Sequence, residues 1–91
     1  MRLEPDVGNF DLVTVDFRDP TPLYVQLARI LTAQIAAGKL APHDPLPSEA
    51  YLQQEYGVSR ATVRRAVAHL RDQGVVYTLP QRGTFVAESD S

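Results

Sequence analysis

Three stretches of this 91-residue chain place apolar residues at helical spacing, and two runs near its end are rich in β-branched and aromatic residues. Leu23, Leu27, Ile30, Leu31 and Ile35 form a broad apolar face. They predict a helix that Thr21 caps, that carries Pro22 in its first turn, and that runs to about Ala37 with Gly38 as terminator. Leu52 and Tyr56 stand at i and i+4 in a second helix, capped by Ser48 and closed by a left-handed Gly57. Val58 anchors the turn, and Ser59 caps a third helix over 59–73 whose inner stripe is Val63, Ala66, Val67 and Leu70. Gly74 ends it. Val75–Leu79 and Thr84–Ala87 read as strands, with Pro80–Gly83 joining them as a hairpin.

The remaining segments separate these elements. Prolines at 42, 45 and 47 make residues 39–47 a rigid, non-helical connection. Residues 12–17, Leu-Val-Thr-Val-Asp-Phe, suit a short strand or extended segment. The chain thus divides into an arm at 1–20, a folded domain at 21–87 and an acidic tail at 88–91. The expected fold is mainly α with a small β-hairpin, an α+β arrangement of three helices followed by a two-stranded wing over 75–87. A helix-turn-helix with a hairpin directly after it is a winged helix-turn-helix.

The third helix has a second face of opposite character. Arg60, Thr62, Arg64, Arg65 and Arg71 lie away from its apolar stripe, and no acid falls within 59–71. The net charge of −2 conceals this asymmetry. Residues 1–20 carry −3, residues 21–87 carry +3 and the last four carry −2. Steering of a polyanion depends on the local field, so the chain suits double-stranded DNA despite its overall acidity.

Other function classes find little support. A chain this short buries roughly 60–65% of its unfolded surface, enough for one core and no deep substrate cavity. The absence of cysteine excludes disulfides and thiolate metal sites. His43 and His69 have no metal-ligand spacing, so no metal or cofactor is expected. No apolar run approaches the ~20 residues of a membrane span, and residues 1–20 lack a signal-peptide core, which points to the cytoplasm. There is no glycine loop to cradle phosphate and no arrangement for nucleophilic catalysis, so an enzyme is not expected.

PLYVQLARIL (22–31), IAAGKLAPHDPLPSEAYL (35–52), YGVSRATVRRAVAHL (56–70) and RGTFV (82–86) together resemble the winged-helix regulators of the GntR family. The resemblance spans about residues 20–87 in the family's order. It implies a transcriptional regulator, most simply a repressor, that reads a short palindromic operator as a dimer. By family position the contacts come from Ala50, Arg60, Thr62, Arg64 and Gly83. Ala50 departs from the arginine that often follows the LPSE glutamate, and receives no base contact. Family members usually continue into an effector-binding, dimerising domain. This chain stops at Ser91, so either it works unliganded or it is the DNA-binding part of something longer; no effector site is evident in it.

The candidate contacts are Ser48, Ser59, Arg60, Thr62, Arg64, Arg65, Arg82 and Gly83. Arg60 suits a base or phosphate, and Arg64 suits guanine. Arg65 and Arg71 divide between phosphate contact and solubility. Thr62 suits a phosphate or a thymine methyl, with local capping as its alternative. Ser48 and Ser59 are caps whose helix starts can also hold a phosphate. Gly83 is a turn glycine that lets the wing tip, with Arg82, approach DNA. Glu49 is expected only to favour its helix start, and Tyr24, Tyr56, Tyr77 and Phe85 to pack in or beside the core. The competing reading is a winged-helix protein-interaction module, or a modulator of a full-length regulator, supported by the apolar residues of 10–17 and the acidic arm.

Overall fold

The computed structural model describes residues 14–88. In chain order these form α1 (Leu23–Ala36), α2 (Glu49–Tyr56), α3 (Arg60–Asp72), β1 (Val76–Leu79) and β2 (Gly83–Val86). The two strands pair antiparallel, with Val76 opposite Val86, Tyr77 opposite Phe85, Thr78 opposite Thr84 and Leu79 opposite Gly83. Three helices followed by a two-stranded sheet make a winged helix-turn-helix. The expected arm, apart from residues 14–20, and tail residues 89–91 lie outside the described residues.

One core holds the elements together. Leu27 and Leu31 of α1, Leu52 of α2 and Val63 and Leu70 of α3 are fully buried, as is Val86 of β2. The stripe of α3 is thus the hub, with Ala66 buried beside Val63 and Leu70 and Val67 half-buried at its margin. Truncating a leucine in such a position costs about 2–5 kcal/mol. Val15 is buried in the same core, which brings part of the upstream segment into the domain. Residues 14–17 form no strand, however; a turn begins at Phe17.

The helix termini show how local chemistry sets the turn. The Ser48 hydroxyl accepts a hydrogen bond from the Tyr51 N–H at 3.1 Å, and the Ser59 hydroxyl one from the Thr62 N–H at 3.1 Å. Gly57 closes α2 with φ +67°, and its N–H donates to the Gln53 carbonyl at 2.9 Å. This left-handed residue reverses the chain in two residues and aims α3 across α2. The start of α1 differs from expectation. Pro22, not Thr21, occupies the cap position, and no side chain caps the helix. Thr21 is tied one residue earlier: its N–H donates to Asp19 Oδ1 at 2.8 Å, and its carbonyl accepts from Gln26 Nε2 at 2.9 Å. The Gln26 amide also receives the Asp16 N–H on Oε1 at 2.7 Å, stapling the upstream turn onto α1.

The connection before α2 has a role the sequence did not disclose. Residues 43–46 lie along β2, with His43 N–H donating to the Val86 carbonyl at 2.7 Å and Leu46 N–H to the Thr84 carbonyl at 2.9 Å. Val86 N–H returns a bond to the Asp44 carbonyl at 2.9 Å, and Pro45 bridges Phe85. His43 and Leu46 supply the donors, so Pro42, Pro45 and Pro47 cost the pairing nothing. The wing is therefore fastened to the start of α2. The hairpin turn also shifts slightly: Gly83 is the first residue of β2, and Gln81, with φ +63°, takes the left-handed conformation in the turn. Gly83 itself has φ +121°, a region that L side chains adopt rarely.

Candidate nucleic-acid interface

A groove of about 480 Å³ runs between the start of α2, the outer face of α3 and the wing. It is lined by Leu46, Pro47, Ser48, Glu49 and Leu52 before and along α2, by Val63, Arg64, Val67 and Arg71 of α3, and by Gly83 and Thr84 of the wing. The 3.6-residue period puts Arg60, Arg64 and Arg71 on one side of α3, while its apolar stripe is buried. The helix-turn-helix and the wing thus converge on one concave surface on which Arg64 and Arg71 outnumber Glu49.

The arginines of this helix are held differently. Arg64 Nε donates to Glu49 Oε2 at 2.9 Å. Arg60 Nε lies 3.7 Å from the other carboxylate oxygen, Oε1. Glu49 is the first residue of α2, where the helix dipole favours a carboxylate. Arg71 Nη1 donates to Thr78 Oγ1 at 3.2 Å, and Thr78 in turn meets Thr84 Oγ1 across the strands at 3.0 Å. The far end of α3 is in this way attached to the wing. Arg65 points elsewhere: its guanidinium carbon lies 4.5 Å from the Tyr24 ring centroid on α1, and Tyr24 meets His69 edge-on. Arg65 does not line the groove.

Ser48 and Gly83 line the groove; Ser59 and Thr62 stand at the start of α3. The two latter are bonded to each other, with Ser59 Oγ donating to Thr62 Oγ1 at 3.1 Å, which is the local capping role considered for Thr62. Arg82 is exposed in the wing turn, and its N–H donates to the Leu79 carbonyl at 3.0 Å. Ala50 is exposed beside Glu49. Sequence reasoning missed the double engagement of Glu49 and the bond from Arg71 to Thr78. The only signal for the first was an acid at the start of one helix and two arginines at the start of the next. Tyr56 is buried, and desolvation pushes its phenol above the ordinary value although a hydrogen bond from Gln34 pulls the other way. It is a core residue, not a groove residue. Among the described residues no group of acids and histidines is arranged to hold a metal ion, and no helix is long and apolar enough to cross a membrane.

Residues 23–86 match the family model described as bacterial regulatory proteins, gntR family. The chain belongs to the gntR family. Its relatives in that family include the HTH-type transcriptional repressor NagR of Bacillus subtilis, 41% identical over 76 residues that make up 84% of this chain and 31% of NagR. The histidine utilization repressor of Klebsiella aerogenes is 42% identical over 69 residues, 76% of this chain and 29% of that protein. The chain therefore spans under a third of the length of these relatives. Among solved structures, AraR(DBD) in complex with operator ORX1 superposes with a TM-score of 0.74 at 37% identity, covering 81% of this chain and 94% of that one. YtrA from Sulfolobus acidocaldarius, a GntR-family transcription factor, superposes with a TM-score of 0.78 at 33% identity, covering 87% and 83%.

Proposed function

We propose that this chain is a sequence-specific double-stranded DNA-binding domain that acts in transcriptional repression. The observation that carries the reading is the groove between the start of α2, α3 and the wing, which Arg64 lines, with Arg60 exposed one turn earlier on the same side of α3 and beside Glu49. The operator complex of AraR(DBD) and the repressor relatives support it.

In this reading α3 enters the major groove with its first turns at base edges. Arg64 takes guanine O6 and N7, and Arg60 takes a base or an adjacent phosphate. A bidentate arginine–guanine pair supplies about 1–3 kcal/mol of discrimination. The starts of α2 and α3, at Ser48 and Ser59, receive phosphates through free N–H groups, with Thr62 at the same backbone. Arg82 and Gly83 bring the wing tip to the sugar–phosphate backbone or minor groove. Arg65, stacked on Tyr24, is left with at most a flanking phosphate. Ala50 makes no base contact, so α3 carries more of the reading. Two copies bind a palindrome, in the cytoplasm, with one domain per half-site.

Selection of bound duplexes from a random library, followed by anisotropy titration at several salt concentrations, tests this. The expected result is a symmetric motif and an affinity that falls steeply with salt. Absence of salt-dependent binding to any duplex overturns the reading and favours a protein-interaction module. Sedimentation with and without the selected duplex tests the two-copy assembly: a complex with one copy per palindrome removes it.

A further inference from the structure

We propose that Glu49 is a positioning residue for DNA reading, one that orients Arg60 and Arg64 and offsets part of their charge. The proposal rests on the DNA-binding reading above and names a device within the same site. Each oxygen of one carboxylate faces a different arginine: Oε2 accepts from Arg64 Nε at 2.9 Å, and Oε1 stands 3.7 Å from Arg60 Nε. Both contacts use the Nε edge. The terminal Nη groups of the two guanidiniums have no other hydrogen bond among the described residues and remain for base edges or phosphates. Glu49 is well placed to impose this geometry because it is the first residue of a helix whose cap is made by Ser48 and whose Leu52 is buried in the core. A rigid support holding flexible side chains lowers the entropy they lose on binding.

The charge matters as much as the geometry. Two arginines alone attract any phosphate. With Glu49 between them the trio carries one net positive charge, and attraction to arbitrary DNA weakens while the directed Nη donors stay available. At 42% side-chain exposure for Glu49 and above 60% for both arginines, the pairs add little to folding stability. Their consequence lies in the difference between right and wrong DNA. That Ala50 brings no arginine to this wall of the groove leaves Glu49 the nearest charged group on α2 to both arginines.

The test uses the full 91-residue chain, its Glu49→Ala, Glu49→Gln and Glu49→Asp variants, the duplex recovered by library selection and a scrambled duplex of the same length, with salt varied. For Glu49→Ala, affinity for scrambled DNA rises about 3–10-fold, its salt slope steepens by about one phosphate contact, and the selected-to-scrambled affinity ratio falls about tenfold. Glu49→Gln raises affinity for both duplexes but keeps more of the ratio, because its amide oxygen still accepts from an Nε. Glu49→Asp restores the native salt slope. Thermal melts confirm that each variant is folded; if Glu49→Ala does not fold, the Gln and Asp variants still separate charge from geometry. An unchanged ratio and salt slope in the folded variants overturn the proposal. Failure of the native chain to bind either duplex is a different result: it removes the DNA-binding reading itself, and this role with it.

Discussion

Arg64 and Arg65 are adjacent, identical in chemistry and both exposed, yet they belong to different parts of the molecule. Arg64 turns into the groove, bonded to Glu49 of α2. Arg65, one residue and about 100° further round the helix, lies over Tyr24 of α1. One side of α3 is bounded by the start of a helix and a wing; the other is closed by α1. A count of cations on a helix therefore overstates its binding face. The element packed alongside decides which cations are presented and which serve as packing, since a guanidinium stacks on an aromatic ring as readily as it pairs with a carboxylate.

The contrast is sharpest in binding. Replacing Arg60 and Arg64 together by alanine should reduce affinity for the selected duplex at least about 30-fold, the sum of two contacts of about 1–3 kcal/mol each, with the thermal melt little changed. Anisotropy titration measures it; operator affinity that survives the double change removes these residues from base reading. A smaller effect is expected where the groove side meets the fold. Ser59→Ala should lower stability by about 0.5–2 kcal/mol in chemical denaturation, because the Thr62 N–H loses its partner, and should weaken DNA binding as the start of α3 loosens.

Arg65→Ala should do the reverse of the double arginine change. It should leave operator affinity within about threefold and cost about 0.5–1 kcal/mol of stability through the lost contact with Tyr24. A large fall in affinity would erase the distinction between the two sides. The smallest effect concerns acid. Hydrogen bonds from Thr21 hold the Asp19 carboxyl below its ordinary value of 3.8. Since the folded state binds this proton less readily than the unfolded chain, the contribution is complete above about pH 3.8 and fades as pH falls toward the lowered value. Asp19→Asn should slightly flatten the acid limb of stability against pH and leave DNA affinity at neutral pH unchanged, because Asp19 sits before α1 and outside the groove.

Much of the fold was legible because its signals are local. Ser48, Gly57 and Ser59 cap and reverse the chain through atoms within three or four residues, and the 3.6-residue repeat of α3 places its own core stripe. The wing followed from β-branched runs around a turn, with an error of one residue because Gly83 pairs with Leu79 as the first residue of β2 instead of closing the turn. The start of α1 was misread for a similar reason. Thr21 has the chemistry of a cap, but the turn bonded to Asp19 and Gln26 had already engaged it.

The candidate site was legible only in part. Arg60, Arg64, Ser48 and Gly83 could be named because each stands at a helix start or turn of a recognisable sequence. Nothing local links Glu49 to Arg64, fifteen residues away, or residues 43–46 to β2, some forty residues away. Proline-rich chain gives no periodic sign of pairing, since its pairing depends on which two N–H groups happen to face the neighbour.

By itself, then, the sequence determined three helices, two of them capped by serines, a hairpin and a last helix with one apolar and one cationic side, because caps, turns and periodicity act over a few residues. Only the tertiary structure decided which arginines open into a groove, which one rests on a tyrosine, and which carboxylate stands between Arg60 and Arg64. Those choices depend on how α1 and α2 pack beside α3, and packing is a property of distances between segments that no local pattern encodes.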